Sequence, residues 1–138
     1  MTTPLDALEQ LSRMSETGAL DGFCERHDLE LMVAFGSAAN PQRLQPPGDL
    51  DLAVRFAGDG DLVALVNDLI DLLDLDAIDV LDLRRAGIVA RAAAFKPPNR
   101  PLYERDPGAY ADAQMAALTM ELDTNWLRRL DLELMAGS

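Results

Sequence analysis

The chain reads as an α/β or α+β domain: a small mixed sheet of about four strands flanked by helices, with a long C-terminal helix. Three observations predict it. Short apolar runs of strand length alternate with longer runs of helical period. Clusters of Gly, Pro and Asn separate them. The order is helix, strand, strand, helix, strand, helix, strand, helix, which packs helices on a sheet rather than in a separate bundle.

Pro4 to Arg13 reads as a helix, with Thr3 as N-cap, Pro4 at the first position and Leu5, Leu8 and Leu11 on one stripe. Ser15 to Arg26 reads as a second helix, weakened by Gly18 and Gly22. Leu29 to Phe35 is the first strand, ending at Gly36. Between Ala38 and Gly48, Asn40-Pro41 and Pro46-Pro47-Gly48 leave room only for a short helix and a loop. Leu50 to Phe56 is the second strand. Asp61 to Leu73 is an amphipathic helix, with Leu62, Leu65, Val66, Leu69 and Leu73 at three- and four-residue spacing.

Ala77 to Leu83 is the third strand, and Ala86 to Phe95 a short helix closed by Pro97-Pro98. Arg100 to Glu104 fits an edge strand. A helix runs from Pro107 to about Leu134, with a stripe of Met115, Leu118, Leu122, Trp126, Leu130 and Leu134. That stripe serves either its own sheet or a partner. Recurring Asp-Leu pairs are irregularly spaced and fall on strands and helices alike, so they are no repeat. The 138 residues form one domain, with a core over about 29–106, N-terminal helices over 4–26 and the C-terminal helix over about 107–134.

Composition excludes several classes. An apolar share of 49 % supports a packed core and argues against disorder. No apolar run approaches the roughly 20 residues of a membrane span. Met1 to Leu11 lacks the pattern of a signal peptide. Cys24 is the single cysteine, so no internal disulfide forms and a reducing cytoplasm fits. A net charge of −12 with one lysine, Lys96, argues against direct nucleic-acid binding, which needs clustered cations. The excess acid fits solubility or a basic protein partner.

The chemistry concentrates at Val33-Ala34-Phe35-Gly36-Ser37 and Asp49-Leu50-Asp51-Leu52. An apolar run ends in Gly-Ser, and the next opens with carboxylates at i and i+2, which share one face of a strand. Two such carboxylates repel unless a cation lies between them. Gly36 lets the chain approach a phosphate closely, and the Ser37 hydroxyl and N–H can bind a phosphate oxygen. A pair of Mg²⁺ ions needs a third carboxylate from a neighbouring strand. Asp79 is the choice and Asp82 the alternative; three apart, they face opposite ways on a strand. Arg43, in the loop between, is the cation that could reach a triphosphate. His27 reads as a surface or capping residue and Cys24 as a small buried apolar one.

Gly36-Ser37, Asp49-Leu50-Asp51-Leu52 and Ile78-Asp79-Val80-Leu81 together resemble the polymerase β-type nucleotidyltransferase superfamily, and the short chain resembles its minimal members. Pro101-Leu102-Tyr103-Glu104-Arg105-Asp106-Pro107 and the long last helix resemble the MntA-type adenylyltransferase antitoxins. The likeness spans roughly residues 29 to 134. It departs from the Gly-Ser-x-Ala-Arg-Gly-like run of many relatives, since Asn40 and Pro41 stand after Gly36-Ser37-Ala38-Ala39.

The resemblance implies a nucleotidyltransferase fold and transfer of AMP from ATP to a tyrosine of a HEPN-domain RNase toxin, which is thereby neutralised. Asp49 and Asp51 would bind two Mg²⁺ ions. Asp79 would bind the catalytic ion and help deprotonate the tyrosine, and Gly36 and Ser37 would hold the triphosphate. Two other readings compete. One is an antitoxin acting by contact alone with a weak nucleotide site. The other is a nucleotidyltransferase for a small molecule such as an aminoglycoside, for which the chain lacks a large second domain.

Overall fold

The computed structural model describes residues 1–136, with side chains as far as Asp131. Helix α1 spans Pro4–Thr17 and α2 spans Ala19–Arg26. Thr3 caps α1 in a reciprocal box with Asp6, and Pro4 opens the helix. The break expected after Arg13 falls at Gly18 instead. Ser15 is held in α1 by its hydroxyl, which donates to the Leu102 carbonyl, and Gly18 takes the left-handed conformation, φ 82°, that ends the helix.

Strands β1 (Leu29–Phe35), β2 (Leu50–Phe56), β3 (Ile78–Asp82) and β4 (Arg100–Glu104) form one mixed sheet in the order β3-β2-β1-β4. The β1–β2 and β1–β4 pairs are antiparallel, and β2–β3 is parallel. The parallel pair is joined through helix α3, Leu62–Leu73, capped by the Asp61 carboxylate on the Ala64 N–H. β4 lies at an edge, as its proline-containing sequence requires.

Helix α4 spans Ile88–Phe95 and α5 spans Ala109–Ala136. Both start two residues later than the sequence pattern indicates. Before α4, the Asp82 carboxylate accepts from the Arg84 N–H and shapes the turn that ends β3. Before α5, the Glu104 carboxylate accepts from the N–H groups of Gly108 and Tyr110. A single 3-10 turn, Ser37–Ala39, is all the helix between β1 and β2.

Strand alternation divides the core. Leu52, Val54 and Phe56 of β2 pack with Met32 and Ala34 of β1 against α1, α2 and α3. The alternate residues Asp51, Ala53 and Arg55 face the other way, where Ala53 packs with Leu31, Val33, Leu83, Phe95 and Ala117 beneath α4 and α5. On that side α5 packs through small residues and one ring: Ala109, Tyr110, Ala113 and Ala117. The larger stripe is turned outward, with Met115, Leu122 and Trp126 all more than 60 % exposed. Leu134, the last of that stripe, lies outside the described side chains. Among the described residues, no helix is long and apolar enough to cross a membrane.

Candidate active site

The site forms where β1 ends and where β2 and β3 begin. Phe35 at the end of β1 is the register partner of Asp51 on β2, and Asp51 is the register partner of Asp79 on β3. Residues side by side in a parallel ladder point to the same face, so Asp51 and Asp79 stand next to each other. Asp49 lies just outside β2 and is exposed, as is Asp79, while Asp51 is half-buried. The Asp51 carboxyl is pushed above the usual carboxylate range, first by burial, then by the negative charges of Asp79 and Asp49. The sheet thus brings the three carboxylates into electrostatic contact.

Asp82 is placed elsewhere. Its register partner is Val54, on the opposite face from Asp51. Its carboxylate accepts from the Arg84 N–H at 3.0 Å and approaches Arg85 at 3.8 Å. Among the described residues, no three acidic, His or Cys side chains close into a ready-made metal cage. Carboxylates without a cation between them repel, so an open arrangement is what their charges dictate. Their chemistry still fits Mg²⁺, which takes oxygen ligands, one or two carboxylates and substrate phosphates.

Gly36 has two reasons to be glycine. Its backbone, φ 73° and ψ −159°, lies in a region essentially closed to residues with a Cβ. A Cβ there would also run into the Asp51 carboxylate, with the Asp51 Cγ only 3.2 Å away. The chain therefore turns sharply over Asp51, and exposed Ser37 follows at the start of the 3-10 turn. A hydroxyl and a polar turn beside a carboxylate cluster can hold a phosphate while the acids hold its counter-ion.

The structure does not bring Arg43 to the acids. Its guanidinium donates to the Asn40 carbonyl at 2.8 Å, and it lines a cavity of about 240 Å³ with Leu5, Leu8, Ala38 and Arg100. His27 caps α2 and pairs with Asp68 at 2.8 Å, away from the site. Cys24 is buried, and burial pushes its thiol up to about 12, so it is an inert core residue.

Sequence reasoning missed Glu30. Its carboxylate lies within 3.5 Å of Arg55, Arg84 and Arg105, joining β1, β2 and the ends of β3 and β4. Nothing in the sequence marks it, because its partners are up to 75 residues away. Phe35, beside Asp51, was legible as the last residue of the strand before Gly36 and was not singled out.

No protein-family model and no curated protein matches the chain. Among solved structures it is similar to a chain of the complex of tri-AMPylated Shewanella oneidensis HEPN toxin with MNT antitoxin. The identity is 21 % over 88 % of this chain and 96 % of that one, with a TM-score of 0.63. It is also similar to a chain of a toxin–antitoxin crystal structure with AMP-PNP, at 20 % identity over 84 % and 94 %, TM-score 0.65. A third is a chain of the MntA-HepT toxin–antitoxin, at 21 % over 88 % and 96 %, TM-score 0.62. At these identities the likeness establishes the fold, helices around a four-stranded mixed sheet.

Proposed function

We propose that this chain is a Mg²⁺-dependent nucleotidyltransferase and, more specifically, a protein adenylyltransferase antitoxin. Its reaction is transfer of AMP from ATP to a tyrosine of a cognate HEPN toxin. The observation that carries the reading is the side-by-side placement of Asp51 and Asp79 under the Gly36 turn. The similar complexes, one with AMP-PNP and one with a tri-AMPylated toxin, support the same chemistry.

In this reading Asp49, Asp51 and Asp79 hold two Mg²⁺ ions, which supply charge neutralisation at the triphosphate and the attacked phosphorus. Gly36 admits the triphosphate close to the main chain, and Ser37 donates its hydroxyl and N–H to a phosphate oxygen. Asp79, beside Asp51 and exposed, accepts the proton of the incoming tyrosine hydroxyl. The tyrosine oxygen forms its bond to the α-phosphorus as the bond to pyrophosphate breaks. Arg43 donates to the Asn40 carbonyl through one Nη and keeps further N–H donors for a phosphate.

The test is intact mass spectrometry of a candidate cognate HEPN toxin after incubation with the chain, ATP and Mg²⁺. The expected result is a gain of one or more AMP units, lost with Asp49→Asn. An unchanged toxin mass alongside a stable complex overturns transfer and leaves neutralisation by contact. That second reading is favoured by Asn40, which stands where the resembled family carries an arginine, and by Pro41, which stands where it carries a flexible glycine. Rescue of cells from the toxin by Asp49→Asn/Asp51→Asn supports contact alone, and loss of rescue supports transfer.

A further inference from the structure

The sheet face that carries Asp51 has a second chemical feature at its other end. Asp51 and Arg55 alternate onto the same face of β2, four residues or roughly 13 Å apart. Around Arg55 a cavity of about 330 Å³ opens between the ends of β2 and β3 and helices α4 and α5. Three arginines line it, Arg55, Arg84 and Arg91, and among the described residues no acidic one does. Its apolar wall is made by Leu83, Phe95, Ala117 and Met120. In a chain of net charge −12, this concentration of positive charge stands out.

The arginines are held in place by groups that leave much of their charge uncompensated. Arg91 donates from Nε to the Leu83 carbonyl at 3.1 Å and from an Nη to the Ala86 carbonyl at 3.2 Å. Arg84 donates from Nε to the Phe56 carbonyl at 2.6 Å. A carbonyl orients a guanidinium without neutralising it, and each guanidinium has five N–H donors. Glu30 is shared among Arg55, Arg84 and Arg105, the last of which also approaches Asp106 at 3.8 Å, so Arg55 and Arg84 divide one carboxylate and Arg91 is held by carbonyls. Guanidinium groups fixed beforehand lose little freedom on binding, and their planar forks match phosphate oxygens. The volume lies at the small end of the roughly 300–1,000 Å³ of ligand pockets.

We propose that this cavity is a binding site for a small phosphate monoester with a compact apolar or aromatic body, separate from the carboxylate site. The phosphate dianion lies against Arg84 and Arg91, and the body rests on Phe95, Leu83 and Met120. A dianion suits the surplus of positive charge better than a carboxylate does. The site stands whether or not the chain transfers AMP, because none of its residues belongs to the carboxylate cluster.

The test titrates phenyl phosphate into the full chain without Mg²⁺, following amide and methionine-methyl NMR shifts, with benzoate and phenol as comparison probes. The expected result is saturating shifts at the Met120 methyl and at amides from Leu83 to Arg91, the turn after β3 and the start of α4. Affinity falls at least tenfold in Arg91→Gln and in Arg84→Gln and is unchanged in Asp51→Asn. Arg84 is half exposed, so Arg84→Gln decides the matter if Arg91→Gln disturbs folding. Shifts that never saturate, or that centre on Gly36 and Ser37, overturn the site. So does binding by benzoate or phenol as tight as by phenyl phosphate, or affinity retained by the folded arginine variants.

Discussion

The two faces of the sheet are built on different principles. The face under α1, α2 and α3 is apolar across its two middle strands, with Leu52, Val54, Met32 and Ala34 fully buried, and carries charge only on its edge strands, at Asp82 and Arg100. The face under α4 and α5 is apolar only in its middle, at Ala53, Val33 and Leu31. Carboxylates crowd one end of it and guanidinium groups the other. The first face holds the chain together. The second spends part of its area on groups that cannot be buried without partners, and this is where chemistry becomes available.

The largest effect that separates the faces is expected for Asp51→Asn. It removes a charge from the proposed Mg²⁺ clamp, worth several kcal/mol, so the initial rate of AMP transfer falls roughly 10²–10⁴-fold. The fold survives, because the amide replaces a carboxylate of the same shape. Quantified mass spectra of the toxin over time, with circular dichroism of the variant, check both halves. An active Asp51→Asn breaks the contrast at its functional end.

Leu52→Ala is the complementary change, one residue along β2 on the opposite face. Leu52 is fully buried, and its truncation is expected to cost about 2–5 kcal/mol, read from the urea midpoint. A cost well below that range means the apolar face is less tightly packed than its burial indicates. Gly36→Ala falls between the two classes. The strained backbone and the crowding of Asp51 together are expected to cost about 1–3 kcal/mol. The same change should displace Asp51 and lower transfer, so stability and activity fall together.

The smallest effect is in pH dependence. The folded-state Asp51 carboxyl titrates above its ordinary value of 3.8, so the native state holds that proton more tightly than the unfolded chain does. Between the two values the unfolded state binds fewer protons, and stability falls as pH rises. It levels once the folded carboxyl is ionised. Metal-free Asp51→Asn lacks this loss and should melt higher than the parent above that window, with the difference closing at lower pH. Mg²⁺ should raise the melting temperature of the parent and not of the variant. Thermal melts across pH with and without Mg²⁺ measure both.

Legibility in the sequence followed the range of the interaction. β1, β2 and β4 appear at the bounds their apolar runs indicate, and α3 begins at Leu62, one residue later than expected, because Asp61 caps it. Helix starts at Ile88 and Ala109 were missed by two residues, because carboxylates of Asp82 and Glu104 bond main-chain N–H groups in ways that periodicity does not reveal. The outward face of α5 was one of two readings left open. Its sheet contact is made by alanines and Tyr110, which a search for large apolar residues passes over. Arg55 was on the legible face of β2, at i+4 from Asp51, yet its meaning depends on Arg84 and Arg91 joining it.

The sequence by itself determined the strands, most helices, the Gly-Ser turn and the acidic pair, because each rests on spacing within a few residues. The tertiary structure decided what lay between distant segments. Strand register set Asp79, and not Asp82, beside Asp51. Packing of α4 and α5 on the sheet gathered the arginines around one cavity. Glu30 acquired its partners only when four segments converged. Local periodicity is written in neighbouring residues, whereas register and convergence depend on chain closure across tens of residues, which no short window contains.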